Sequence, residues 1–150
     1  MLYYIIIIVL IAIDQAVKYF IRVSMELGET IPVIQDIFHI TYISNTGAAF
    51  SIMQGQTAIL IIIPVVLITA MAAYIYKIRR SRHFTLLLAL ALICGGGLGN
   101  LIDRVRFGAV VDFIDFRVFP IFNFADIFVC CGCGLLVLYV IFFEKHESVS

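Results

Sequence analysis

The chain has 150 residues, of which 63% are hydrophobic and 13% charged, about half the charged share of an average soluble domain. Ten Lys and Arg balance ten Asp and Glu, so the formal net charge is zero, and the mean hydropathy is +1.13. These values exclude an ordinary soluble domain, a disordered chain and a nucleic-acid binder that works through a basic surface. They leave a small integral membrane protein, with residues 1–150 forming one domain.

A membrane-spanning helix takes roughly 20 mostly apolar residues. The first such stretch covers about 2–21, with Asp14 and Lys18 inside it and Arg22 just after. No basic region precedes its apolar part and no small-residue cleavage site follows, so it reads as a retained helix rather than a removed signal peptide. Segment 24–56 holds Glu26, Gly28, Glu29, Pro32, Asp36 and His39 and is no span. Within it Phe38, Ile40 and Tyr42 alternate with His39, Thr41 and Ile43, the period of a strand. Residues 31–34 are its expected partner, with Gln35-Asp36 near the turn, giving a small sheet on the outer membrane surface. Residues 50–53 are expected to return the chain to the bilayer as a short amphipathic stretch.

Three further spans follow at 57–76, 84–102 and 127–143, and Asn100 is the only strongly polar residue in the second of these. Gly95 and Gly99 have the G-x-x-x-G spacing that lets helices approach closely. The expected fold is an all-α membrane protein. Four transmembrane helices form a compact bundle, with a small outward-facing β-sheet between helices 1 and 2 and outer segments at 24–56 and 103–126.

Lys77, Arg79, Arg80 and Arg82 crowd the link between spans two and three, which the positive-inside rule assigns to the cytoplasm. Both termini are then cytoplasmic. The basic residues alone balance: Lys145 makes five inside, and Lys18, Arg22, Arg104, Arg106 and Arg117 make five outside. The density of the inner cluster decides the orientation.

Cys94, Cys130, Cys131 and Cys133 lie in apolar runs, unlike the loop cysteines of a disulfide scaffold. Cys130 and Cys133 form a C-x-x-C, but no second Cys/His pair completes a zinc set, and small packing side chains account for them. His39, His83 and His146 are scattered, so no metal site is expected.

The polar residues converge on one membrane face. Asp14 and Gln15 lie toward the outer end of helix 1, Asn100 and Asp103 at the outer end of helix 3, and Asn123 and Asp126 at the outer start of helix 4. Asp112 is expected in the loop between helices 3 and 4. Ionisable groups at this depth are costly and point to a functional site. Each residue also has a plainer role open to it. Asp14 and Lys18 at i, i+4 fit a simple ion pair, Asn123 or Asp126 fits a helix cap, Asn100 fits a helix end, and Arg104 fits a snorkelling side chain. Two carboxylates held close together cannot easily both ionise. One ionised and one protonated carboxyl are what aspartic peptidase chemistry needs: the first takes a proton from water and the second polarises the scissile carbonyl. The same carboxylates suit a small proton- or cation-coupled transporter, and a membrane scaffold is the third reading.

Five motifs then occur in order: Asp14-Gln15-x-x-Lys18; Asn45-Thr46-Gly47-Ala48-Ala49-Phe50; Gly96-Gly97-x-Gly99-Asn100-x-x-Asp103-Arg104; Val110-Val111-Asp112-Phe113; and Phe122-Asn123-x-Ala125-Asp126. Over nearly its whole length the chain resembles the bacterial lipoprotein signal peptidases (signal peptidase II, prolipoprotein signal peptidase). The resemblance implies an intramembrane aspartic endopeptidase that removes signal peptides from prolipoproteins by cleaving before a diacylglyceryl-modified cysteine. It maps the catalytic pair to Asp112 and Asp126, with Asp103 as the competitor for the first role. Asn45, Gly47, Asn100, Arg104 and Asn123 match positions that contact substrate or support the pair, and Asp14 and Lys18 match positions that support fold and site. Asp103, beside Arg104 and three residues from Asn100, is given a structural or substrate-holding role.

The resemblance further implies no cofactor and no metal, with water as the second substrate. The expected partners are lipid-modified prolipoproteins and membrane lipid, with no nucleic acid, on a monomeric enzyme of the bacterial cell (inner) membrane whose site faces outward. Two departures from the family pattern stand out: only thirteen residues (113–125) separate Asp112 from Asp126, and the Cys130-Cys131-Gly132-Cys133 run replaces small and aliphatic residues.

Overall fold

The computed structural model describes residues 1–47, 56–80 and 83–144. The expected membrane return at 50–53, and Arg82, Lys145 and His146, lie outside the described residues. Among the described residues, four helices are long and apolar enough to cross a membrane: α1 (Leu2–Ser24), α2 (Thr57–Ile78), α3 (Phe84–Phe107) and α4 (Phe124–Tyr139), the last continued by a π-helical turn at Val140–Glu144. A helix satisfies its own backbone hydrogen bonds, which lipid cannot do for it. Large apolar side chains such as Ile5 and Ile8 of α1 and Ile62 and Val66 of α2 therefore turn outward, on the side lipid covers.

α3 packs against α1, α2 and α4. Its glycines make that central place possible. A Cβ on Gly95 would meet Leu10 of α1, one on Gly97 would meet Ile68 of α2, and one on Gly96 would run into the Ala125 carbonyl of α4. Close approach of this kind replaces the hydrophobic drive that helices lack in lipid.

α1 and α3 run beyond the expected ends, to Ser24 and Phe107, and α4 starts earlier, at Phe124. The charges that marked those ends in the sequence are paired inside the protein. Gly108, at φ 73°, caps α3 with its amide on the Arg104 carbonyl at 3.0 Å and turns the chain into a strand.

The sheet is antiparallel, in the order β1 (Thr30–Ile34), β2 (Phe38–Asn45), β3 (Val110–Asp115). The first two strands and their turn at Gln35-Asp36 are as expected. The third comes from the segment between helices 3 and 4. It corrects the expectation that Asp112 lies in a loop: Asp112 sits mid-strand. All six residues of β3 are buried, so the strand has no polar face to give it an alternating pattern. The register of β2 against β3 slips by one between Ile40 and Ile43, since His39 pairs with Asp115 but Ile43 with Asp112. A one-residue slip exchanges the faces of a strand. It brings Asn45 round to the face on which Asp112 projects.

Candidate active site

The polar residues gather where the C-terminal half of α1, the end of α3, β3 and the start of α4 meet. At the centre lies a buried ion cluster. Lys18 Nζ is 2.9 Å from Asp14 Oδ2 and 3.1 Å from Asp103 Oδ2, with all three side chains fully buried. It also donates to Asn100 Oδ1 at 2.8 Å. Asp14 Oδ1 accepts the Ala125 amide at 3.0 Å, one of the free N–H groups in the first turn of α4. Asp103 has further partners in Gln15, Arg22 and the Val111 amide at 3.2 Å. The Asp14–Lys18 spacing is therefore no surface pair, and Asp103 is fully engaged in holding α1, α3 and β3 together.

Asp112 and Asp126 are held differently. Asp112 accepts Asn45 Nδ2 at 3.0 Å and Asn123 Nδ2 at 2.6 Å. Asp126 accepts Asn100 Nδ2 at 2.8 Å and the Asn123 amide at 3.2 Å. Asn123 and Asn100 also bond each other at 3.1 Å. Asn123 is thus both the cap of α4, through a capping box with Asp126, and a direct partner of Asp112. Arg104 donates to the Gly47 carbonyl at 3.0 Å, and the Gly47 amide donates to Asn45 Oδ1 at 2.9 Å, so Arg104 is anchored to the end of β2 rather than snorkelling. Every predicted site residue belongs to this one network.

Asp112 and Asp126 line the same cavity of about 750 Å³, together with Asn45, Asn100 and Arg104, while Asp103 does not. Apolar side chains, among them Pro64, Phe119 and Val129, form most of the rest of its wall, with Ser44 and Thr46 beside them. Burial pushes the Asp112 carboxyl up to about 6; the hydrogen bond from Asn45 opposes the rise and the charge of Asp126 adds to it. No group of three or more His, Cys, Asp or Glu among the described residues is placed to hold a metal ion. Cys130, Cys131 and Cys133 are exposed free thiols.

Two features escaped the reading of the sequence. Gln15 clasps α1 to α3 through the Gly99 carbonyl and Asp103, a role that its place in the first motif and among the converging polar residues hinted at without assigning. Asp115 is buried beside Thr41 and Arg117. The signal for it was an acid ending a β-branched and aromatic run bounded by Gly108 and Pro120.

The signal peptidase (SPase) II family model matches residues 6–142. The chain belongs to the signal peptidase II family. It is similar to a lipoprotein signal peptidase of Halothermothrix orenii, 49% identical over 137 residues, which are 91% of this chain and 93% of that protein. One from Clostridioides difficile is 46% identical over 149 residues, covering 98% and 99% of the two chains. A bacterial membrane enzyme structure at 2.3 Å resolution superposes with a TM-score of 0.84 at 33% identity, covering 93% of this chain and 87% of that one. A second, at 1.9 Å, gives 0.82 at 32% identity, with coverage of 94% and 93%. This signal peptidase II is thus a peptidase and a multi-pass membrane protein. Neither the family nor these relatives support the transporter reading, and the carboxylates sit at one end of the bundle rather than along a path through it.

Proposed function

We propose that this signal peptidase II is an aspartic endopeptidase that cuts a prolipoprotein before its diacylglyceryl-modified cysteine, with Asp112 and Asp126 as the catalytic pair. The observation that carries the proposal is the shared cavity. Two carboxylates from separate elements, β3 and α4, line it, and each is held by asparagine donors, with no cation within ion-pair distance of either among the described residues. Like charge and burial favour a single proton on such a pair. The ionised member takes a proton from water, the resulting hydroxide attacks the scissile carbonyl, and the protonated member stabilises the developing oxyanion. The tetrahedral intermediate then collapses, the C–N bond breaks, the leaving amine takes the proton that the first carboxyl removed from water, and the pair returns to its single-proton state.

An extended peptide at membrane depth needs partners for its backbone groups. Asn45, Asn100 and Arg104 line the cavity and are polar enough to supply them, while Asn123, fully buried behind it, supports the pair; the diacylglyceryl chains stay in lipid along the apolar helix faces. The basic link carrying Lys77, Arg79 and Arg80 is assigned to the cytoplasm with both termini. The site then faces outward, where the lipid-modified cysteine of the substrate lies, on an enzyme that works as a monomer in one domain.

The test is a gel-shift cleavage assay with the full chain in detergent. Its substrates are a diacylglyceryl-modified prolipoprotein and, separately, the unlipidated precursor. Cleavage of the lipidated form alone, lost in Asp112→Asn and in Asp126→Asn, is the expected result. Cleavage that survives Asp112→Asn but is lost in Asp103→Asn would move the pair, and a well-folded wild type that cuts neither substrate would overturn the reading.

A further inference from the structure

One buried carboxylate has no part in the chemistry above. Asp115 ends β3, three residues beyond Asp112, and is 3% exposed. The Thr41 hydroxyl donates to its Oδ2 at 2.7 Å, the Arg117 amide to its Oδ1 at 2.8 Å, and Arg117 Nη1 to its Oδ2 at 3.0 Å. Burial alone would raise its pKa, but these donors outweigh it and hold the carboxyl below the ordinary range, so it is ionised at neutral pH.

Arg117 itself is strained. Its φ is 66°, a left-handed backbone that a long side chain rarely adopts. The Val118 amide donates to the Phe116 carbonyl at 2.7 Å across it, closing a γ-turn. Arg117 donates both its amide and its Nη1 hydrogen bond to the Asp115 carboxylate, which accepts them and fixes the residue in the turn. Directly after this turn, Phe119, Pro120 and Ile121 line the cavity that holds Asp112 and Asp126. The ring of Phe119 stands edge-on to Phe122 at 6.0 Å, and Phe116 stacks on Phe122 at 6.1 Å. The connection is short, so the conformation of Arg117 sets where Phe119 falls.

We propose that Asp115 is a positioning residue for the peptidase: by holding Arg117 in the left-handed turn, it fixes Phe119 as an apolar wall of the cavity against which the prolipoprotein packs beside its scissile bond. This rests on the peptidase reading above. Asp115 acts through the loop and does not itself line the cavity.

The test measures KM and kcat for a diacylglyceryl-modified prolipoprotein with the full chain in detergent. Asp115→Ala is expected to raise KM about tenfold with a smaller change in kcat, the scale of releasing one strained residue. Asp115→Asn, which keeps an oxygen for the Arg117 amide, raises it less. Adding Arg117→Gly to Asp115→Ala returns KM to within about threefold of wild type, because glycine takes a positive φ without strain. Arg117→Pro, which forbids that φ while leaving Asp115 and Thr41 in place, reproduces the loss, and decides the matter even if Asp115→Ala does not fold. A wild type that cleaves, together with Arg117→Pro at unchanged KM or no rescue by glycine, overturns the positioning role alone. A wild type that does not cleave overturns the peptidase reading beneath it.

Discussion

The side-chain amide of Asn123 stands 2.6 Å from Oδ1 of Asp112. The oxygen of the same side chain accepts the Asp126 amide at 3.0 Å and caps α4. One residue thereby sets the strand-borne carboxylate against the helix-borne one, and the two roles separate by substitution. Asn123→Ser keeps a capping oxygen but is too short to reach Asp112; Asn123→Ala loses both contacts. Both variants are expected to lose about 100-fold in kcat/KM through misplacement of the pair. Only the alanine variant is less stable by a further ~1 kcal/mol, the value of the cap. Cleavage kinetics and thermal unfolding in detergent read the two effects independently.

The raised pKa of Asp112 fixes a pH dependence. With Asp112 pushed up to about 6, its carboxyl keeps the proton the mechanism needs below that pH and loses it above. kcat/KM should therefore fall as pH rises through about 6. The hydrogen bond from Asn45 favours the ionised form of Asp112. Asn45→Ala removes it, raises the pKa further and moves the midpoint to higher pH. A pH–rate profile in which that midpoint stays or moves down contradicts the assignment of the limb to Asp112.

Lys18 is the only cation within ion-pair distance of Asp14 among the described residues, and Asp103 has Arg22 besides, at 3.5 Å. Lys18→Met strands Asp14 in the bundle and leaves Asp103 with Arg22 as its cation, and an uncompensated buried charge costs about 3–5 kcal/mol. The variant should unfold at a markedly lower temperature. Adding Asp14→Asn should restore part of the loss, because the stranded charge is then gone. Additive effects of the two changes would show that they do not share a network.

The glycines of α3 and α4 give opposite outcomes on the same substitution. Gly96→Ala drives a Cβ into the Ala125 backbone carbonyl, which cannot move without shifting the start of α4 and Asp126 with it. A cost of about 1–3 kcal/mol is expected, with a loss of cleavage. Gly134→Ala meets nothing within 4 Å and should stabilise α4 by up to about 1 kcal/mol through helix propensity. Unfolding of the two variants side by side checks the pair.

Much of this molecule is legible in the linear chain. Four spans follow from apolar length, because a helix must cross a fixed thickness of hydrocarbon. The site residues are conspicuous because a charge or amide in an apolar helix is costly and few are present. The ends of α1 and α3 were harder to place. Arg22, Asp103 and Arg104 read as signs of leaving the membrane, yet each is partnered within the fold.

β3 was hidden for a different reason. Its six residues are buried on both faces, so no polar residue marks every second position. The register slip that turns Asn45 toward Asp112 leaves no mark in the sequence either.

By itself, then, the sequence determined a four-span membrane fold and a set of polar residues at one end of it, since both follow from transfer energies that each residue carries wherever it sits. Only the tertiary structure decided which acids share the cavity. Asp103 and Asp112 are equally acidic in the sequence. Asp103 is drawn into the core by Lys18 and Arg22, while Asp112 is met by amides and lines the cavity with Asp126. The difference lies in partners more than 60 positions away along the chain for each acid's first contact, Lys18 or Asn45, and spacing in one dimension carries no record of them.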